Sequence, residues 1–158
     1  MRTRSLNSHP LRPDADYVLY WMTSARRLRS NFALERAVSL AREHRKPLVI
    51  FEPLRVGYAH ASDRLHRFVI DGMADHARVL AGTPVTYLAY IEPTPGDGRG
   101  LLAALAAHAL AVVTDDYPAF FLPRMLAAAA RQLTVQFEAI DSNGILPMHA
   151  APKCFVTA

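Results

Sequence analysis

The chain has 158 residues, of which 51% are hydrophobic and 20% charged, enough for one domain with a sizeable core and too few for two of typical size. Its single cysteine, Cys154, excludes an intramolecular disulfide and a cysteine-rich metal site and fits a reducing, cytoplasmic setting. The formal charge of +4 is uneven, because residues 1–46 hold ten Lys/Arg against four Asp/Glu, net +6, and the remainder carries −2.

Such asymmetry marks either a phosphate-contacting surface or a solvated helix face rich in arginine, and no aromatic residues interleave with these arginines to stack bases. The basic start, M-R-T-R-S-L-N-S-H-P-L-R-P, lacks the apolar core of a signal peptide. Later apolar segments are broken by Pro, Gly or charge, so neither export nor a membrane span is expected.

Residues 1–16 carry two prolines and no periodicity and are expected to be a flexible lead-in. Tyr17 to Met22 is a near-continuous apolar run, the pattern of a strand buried on both faces. Thr23 and Ser24 end it, and from Leu28 onward Ala33, Leu34, Ala37, Val38 and Ala41 recur at helical spacing. Lys46-Pro47 stops that helix, and Leu48 to Phe51 is a second buried strand. Two parallel strands joined by a helix form a right-handed crossover unit. Asn31, one turn before Leu34, is expected to bond backbone near the end of the first strand.

After an irregular, partly aromatic connection from Glu52 to Ala61, Ser62 and Asp63 start a helix that runs to Gly82. Gly72 falls on its apolar side, where close approach to a neighbour would offset the helix-weakening effect of glycine. Val85 to Ile91 is the third strand, Leu101 to Ala109 a short helix, Leu110 to Thr114 the fourth strand, Phe120 to Gln132 a helix, and Leu133 to Ile140 the fifth strand. Strands alternating with helices predict an α/β fold, a doubly wound five-stranded parallel sheet with helices on both faces over residues 17–140.

Several short motifs carry a resemblance. Y-W-M at 20–22, Arg27, N-x-A-L at Asn31, Ala33 and Leu34, and P-L-V-I-F at 47–51 are followed by H-R-F-V-I-D-G-M at 66–73, D-S-N-G-I-L-P at 141–147 and A-P-K at 151–153. In this order they resemble the Rossmann-like N-terminal domain of DNA photolyases, most closely the class II cyclobutane pyrimidine dimer photolyases. Gly144 departs from the asparagine that class II members tend to carry there.

The resemblance implies an antenna-binding domain of a deoxyribodipyrimidine photolyase, which splits pyrimidine dimers in DNA using light and reduced FAD. It also implies that residues 141–158 begin a linker to a helical FAD domain lying beyond this chain, and that the flavin and the damaged DNA are held there. An antenna, a deazaflavin or a folate, would sit in the α/β domain. No catalytic residue is then expected in these 158 residues.

Read from its residues alone, the chain offers few reactive constellations. The histidines make no H-x-x-x-H pair, and no metal site is expected. Gly96, Gly98 and Gly100 suggest a phosphate cradle, but neither a dinucleotide fingerprint nor a P-loop is spelled. Asp115-Asp116 reads as a Mg²⁺ pair or as the cap of the helix that follows Tyr117-Pro118. Since parallel α/β sheets bind ligands outside the carboxyl ends of their strands, the candidate ligand residues are Trp21, Met22, Thr23, Phe51, Glu52, Pro53 and Leu54. Trp21 and Phe51, taken singly, read rather as ordinary core residues. The competing assignment is a stand-alone nucleotide-binding module of the universal-stress-protein or electron-transfer-flavoprotein type, supported by the Gly-rich loop alone.

Overall fold

A computed structural model of the chain describes residues 2–59 and 61–150. Its strands are β1 (Thr3–Ser5), β2 (Tyr17–Trp21), β3 (Leu48–Leu54), β4 (Val85–Ile91), β5 (Ala109–Asp115) and β6 (Phe137–Ile140). Its α-helices are α1 (Phe32–His44), α2 (Asp63–Leu80), α3 (Leu101–Ala106) and α4 (Leu122–Gln132). The sheet order is β1-β6-β5-β2-β3-β4. All neighbours are parallel except β1, which runs antiparallel to β6. The chain winds outward from β2 through β3 to β4, then returns to the other side of β2 as β5 and continues to β6. The reversal of direction between β2 and β5 is the topological switch point of the sheet.

Alternation of side chains assigns each apolar run to two cores. Val18, Tyr20, Met22, Leu48, Ile50, Ala111 and Val113 face α1 and α2, whereas Leu19, Trp21, Val49, Phe51, Val112 and Phe137 face α3 and α4. β5 is buried at all seven positions, which explains its unbroken apolar run from Ala109 to Val113. α1 lies over β2 and β5 and buries Ala33, Ala37, Leu40 and Ala41. α2 lies over β4 and β3, yet of its 18 residues only Met73 is buried. With each fully buried aliphatic side chain contributing about 1.5–3 kcal/mol, α2 is the more weakly held helix.

The structure differs from the sequence reading in six places. The second strand does not end at Phe51: Glu52, Pro53 and Leu54, read as the start of an irregular connection, continue β3 because they pair with Ala89, Tyr90 and Ile91 of β4. The segment read as a lead-in contributes a sixth strand, β1, because Arg2 and the Thr3–Ser5 backbone find partners on β6 and the turn after it. Further along, the Arg12 N–H donates to the Leu110 carbonyl and the Gln136 N–H to that of Pro10. The first helix begins at Phe32 with Asn31 as its N-cap, since Thr23, Ser24 and Ala25 give their N–H groups to Asp115 instead. The last strand is shorter, starting at Phe137. α4 starts at Leu122 without a side-chain cap, so Asp116 does not cap it. Gly72 meets no neighbour, and a Cβ there would find nothing within 4 Å. Residues 141–150 fold back on the domain, while residues 151–158 of the expected linker, with the A-P-K motif and Cys154, lie outside the described residues.

Candidate functional site

At the switch point, β5 ends in Asp115, which is 2% exposed. The turn after β2 wraps its carboxylate: Oδ2 accepts from the N–H groups of Thr23 (2.8 Å), Ser24 (2.8 Å) and Ala25 (3.0 Å), and Oδ1 from the Tyr20 hydroxyl (2.7 Å). Three converging N–H groups form a ready-made anion nest, and here the anion is the protein's own. Asn31 completes the network. Its amide donates to the Tyr20 oxygen (2.9 Å) and to the carbonyls of Ala25 (3.0 Å) and Arg27 (2.9 Å), while its Oδ1 accepts from the Leu34 N–H (3.0 Å). The asparagine thus caps α1 and joins it to the end of β2, as its position predicts. Burial, reinforced by Asp115, pushes the Tyr20 phenol far above its usual pKa.

One strand over, Glu52 of β3 is 1% exposed and serves as the hub of a second cluster. Its Oε1 accepts from Arg26 (2.8 Å), and its Oε2 from the Tyr87 hydroxyl (2.6 Å) and His76 Nδ1–H (2.9 Å). Arg26 also donates to the Pro53 carbonyl (2.7 Å). Burial and the bond to Glu52 raise the Tyr87 phenol well above its ordinary value. Above this cluster opens a cleft of about 290 Å³ lined by Arg26, Glu52, Phe68, Val69, Asp71, Gly72, Asp75 and His76. Gly72 keeps the α2 wall thin, and Phe68, 79% exposed, stands beside it. A half-buried ion pair at one end, the apolar Phe68–Val69 wall and the carboxylates of Asp71 and Asp75 suit a flat ring with hydrogen-bonding edges. A trough of about 440 Å³ runs along α1 past Leu28, Asn31, Leu34 and Val38.

The seven residues singled out from sequence do not converge on one pocket. Glu52 lines the cleft, and Pro53 lends its carbonyl to Arg26. Trp21 and Phe51 lie on the opposite face of the sheet, Trp21 against Phe137 with ring centroids 6.3 Å apart and Phe51 against Tyr90 at 6.5 Å. The Trp21 indole N–H has no partner among the described residues. Met22 is core, Thr23 serves Asp115, and Leu54 is buried with its carbonyl bonded to the Glu92 N–H. The sequence reading does not assign Arg26, Phe68, Val69, His76 or Tyr87 to the site; they come from three separate segments, the turn after β2, α2 and β4. The signals available were Glu52 at the carboxyl end of its strand and the H-R-F-V-I-D-G-M motif, which places Phe68 and Val69 one turn before Gly72.

The Gly-rich loop after β4 is also closed by an internal acid. Glu92 accepts from the N–H groups of Gly96 (2.9 Å), Gly98 (3.4 Å) and Val56 (3.1 Å). Those bonds, Gly96 first, hold its carboxyl below the usual range. Asp116 neither caps a helix nor faces a second acid in a metal site; it takes a bidentate bond from Arg4 (3.0 and 2.9 Å) and pairs with His149 (3.2 Å). Burial works to raise its pKa, but these partners outweigh it and leave it lowered. Six of the ten basic residues of the N-terminal end are engaged within the fold: Arg2, Arg12 and Arg27 donate to backbone carbonyls, and Arg4, Arg26 and Arg36 pair with Asp116, Glu52 and Glu138. Among the described residues no group of three or more His, Cys, Asp and Glu is placed to hold a metal ion, and no helix is long and apolar enough to cross a membrane.

No family model matches the chain. Over 150 residues, 95% of its length, it is 29% identical to a deoxyribodipyrimidine photo-lyase of Methanothermobacter thermautotrophicus. The chain spans about a third (33%) of the length of that relative. It is thus a distant homologue of a photolyase across an α/β domain with a six-stranded, mostly parallel sheet.

Proposed function

We propose that this chain is the antenna-bearing α/β domain of a photolyase-type protein whose light-driven, flavin-dependent repair of pyrimidine dimers in DNA is carried out by a further helical domain binding FAD. The observation that carries this reading is the similarity to a photolyase along 95% of the chain. Within the fold, the cleft over Glu52 is the ligand site this reading selects. A deazaflavin or folate ring would lie against Phe68 and Val69, with Arg26, Glu52 and His76 meeting its polar edge. The chain would position the ring and exclude water; excitation energy, not a chemical group, would pass from it to the flavin, so no acid, base or nucleophile of this domain takes part. A class II assignment and a cytoplasmic location go with this proposal and rest on the sequence motifs and the single cysteine.

The stand-alone nucleotide-binding reading is not favoured. The backbone N–H groups that would cradle phosphates at the ends of β2 and β4 already hold Asp115 and Glu92. A phosphate there would meet a buried carboxylate of its own sign.

The test is a fluorescence titration of a deazaflavin and of a folate into the purified chain and into Glu52→Ala and Phe68→Arg variants. Saturable binding to the unaltered chain, weakened at least about tenfold by each substitution, is the expected result. Binding unchanged in both variants would move the site off this cleft, and no binding of either compound would remove the antenna role.

A further inference from the structure

Two loops at the carboxyl end of the sheet expose apolar side chains that their own domain does not use. The segment after β5, Y-P-A-F-F-L-P at 117–123, leaves Phe120 84% and Phe121 50% exposed, and the turn after β6, S-N-G-I-L-P-M at 142–148, leaves Ile145 100% and Leu146 71% exposed. The two loops adjoin: the Asn143 amide donates to the Asp116 carbonyl (2.8 Å), and His149 pairs with the Asp116 carboxylate (3.2 Å). Neither segment carries a charge. Single exposed apolar residues are ordinary, whereas adjoining ones mark an interaction surface.

Both loops are held in place. Asp141 accepts from the N–H groups of Asn143 (2.8 Å) and Met148 (2.6 Å), and Arg2 donates to the Ile145 carbonyl (2.7 Å), which fixes the tip on which Ile145 and Leu146 stand. Phe120 has a φ of 60°, a strained left-handed setting for an aromatic residue, and its ring lies parallel to that of Tyr117 with centroids 6.5 Å apart. The strain turns Phe120 outward, where so exposed a ring gains little from its own domain. A surface outside this chain that takes the ring supplies the compensation.

We propose that this patch is where the helical FAD-binding domain packs, its apolar surface closing over Phe120, Phe121, Ile145 and Leu146; the inference rests on the photolyase-type reading above. Three observations select this occupant. The chain spans 33% of the length of its photo-lyase relative, and the rest of such a protein needs a surface to pack on. The last described residues, Met148–Ala150, lie beside Asp116, so a polypeptide that continues past this chain leaves the described fold next to the patch. Aromatic and aliphatic residues without charge make the core of a protein interface, whereas a nucleic acid requires cations for its phosphates.

The experiment is hydroxyl-radical footprinting, read by mass spectrometry, on the 158-residue chain and on the full-length protein with FAD bound. Phe120, Phe121, Ile145 and Leu146 are expected to oxidise at least about tenfold more slowly in the full-length protein, because an interface core packs as densely as a protein interior. Val79, exposed near the C-terminal end of α2, is expected to oxidise alike in both. Phe120→Gly relieves the strained backbone and Ile145→Asp alters a fully exposed position, so neither variant of the short chain is expected to melt lower. In the full-length protein both should restore oxidation of Phe121 and Leu146. Equal oxidation in the two unaltered proteins, or protection that survives both substitutions, overturns the docking and leaves the photolyase-type reading standing. A full-length protein without a flavin domain overturns both, and protection that appears only with duplex DNA gives the patch to nucleic acid and overturns the docking.

Discussion

Replacing Asp115 by asparagine changes one atom type at the switch point, and the structure sets the cost. The carboxylate accepts from three backbone N–H groups on Oδ2 and from Tyr20 on Oδ1. An amide keeps one acceptor oxygen, so either the three N–H groups or the tyrosine hydroxyl must face an NH₂ group. Hydrogen bonds to a charged partner are worth about 1.5–3 kcal/mol each, and a buried donor left unpaired costs about 1–3 kcal/mol. Losing the charge for three donors, or orphaning the hydroxyl and weakening the rest, amounts to about 3–5 kcal/mol, at the upper end of single substitutions. For a domain of this size each kcal/mol lowers the melting temperature by about 2–4 °C, so Asp115→Asn is expected to lower it by about 6–20 °C. Thermal unfolding followed by circular dichroism measures this. Asp71→Asn, which breaks only an exposed pair with Arg67, serves as the control and is expected to cost under about 0.5 kcal/mol. A drop of less than about 2 °C in Asp115→Asn would show that the nest does not depend on its charge.

Asn31→Leu leaves the carbonyls of Ala25 and Arg27 and the Leu34 N–H without their partner; a loss of about 2–4 kcal/mol in urea unfolding is expected, and an unchanged midpoint would contradict the capping role. Gly72→Ala meets no obstacle and is expected to raise stability by up to about 1 kcal/mol; a lower melting temperature would mean that the space beside Gly72 is filled in solution. Asp116 and Glu92 have lowered pKa values, so their contribution is present above the ordinary carboxyl range near about pH 4 and is lost as pH falls below it; Asp116→Asn should flatten the acid limb of a stability–pH curve. Tyr20 and Tyr87 have raised pKa values, so stability is full below about pH 10 and declines above it. Tyr87→Phe should reduce that alkaline slope, and an unaltered slope would assign it to other groups.

The parts of this fold legible in the sequence were those written in local patterns. Unbroken apolar runs such as Leu110–Val113 identified buried parallel strands, and Asn31 could be assigned a partner because it sits between a strand end and a helical stripe. The strand β1 was not legible, because three polar residues have no period and pair only after a partner more than a hundred residues away is in place. The acids at the strand ends were visible as residues but not as a set. Whether Asp115 meets a metal, a helix terminus or the N–H groups of Thr23 to Ala25 depends on which loop the topology brings beside it. The cleft was half legible for the same reason: Glu52 lies near the carboxyl end of a strand, whereas Arg26, His76 and Tyr87 reach it from elements that no spacing rule connects.

The pairing of β1 with β6 bears on how the domain is made. Thr3 lies opposite Ile140, and Arg2 bonds the carbonyls of Asp141 and Ile145, so the residues of β1 wait for a partner more than a hundred residues further along the chain before they find their place. At about 5–20 residues per second that delay is several seconds or more, far longer than a helix or a βαβ unit needs to form. The β2–α1–β3 unit can therefore nucleate while the first fifteen residues trail free, and closure of β1 onto β6 becomes a late step with a large loop-closure cost. A chain shortened by its first eight residues should fold at nearly the same rate and unfold faster, leaving β6 as a second open edge on which aggregation can begin.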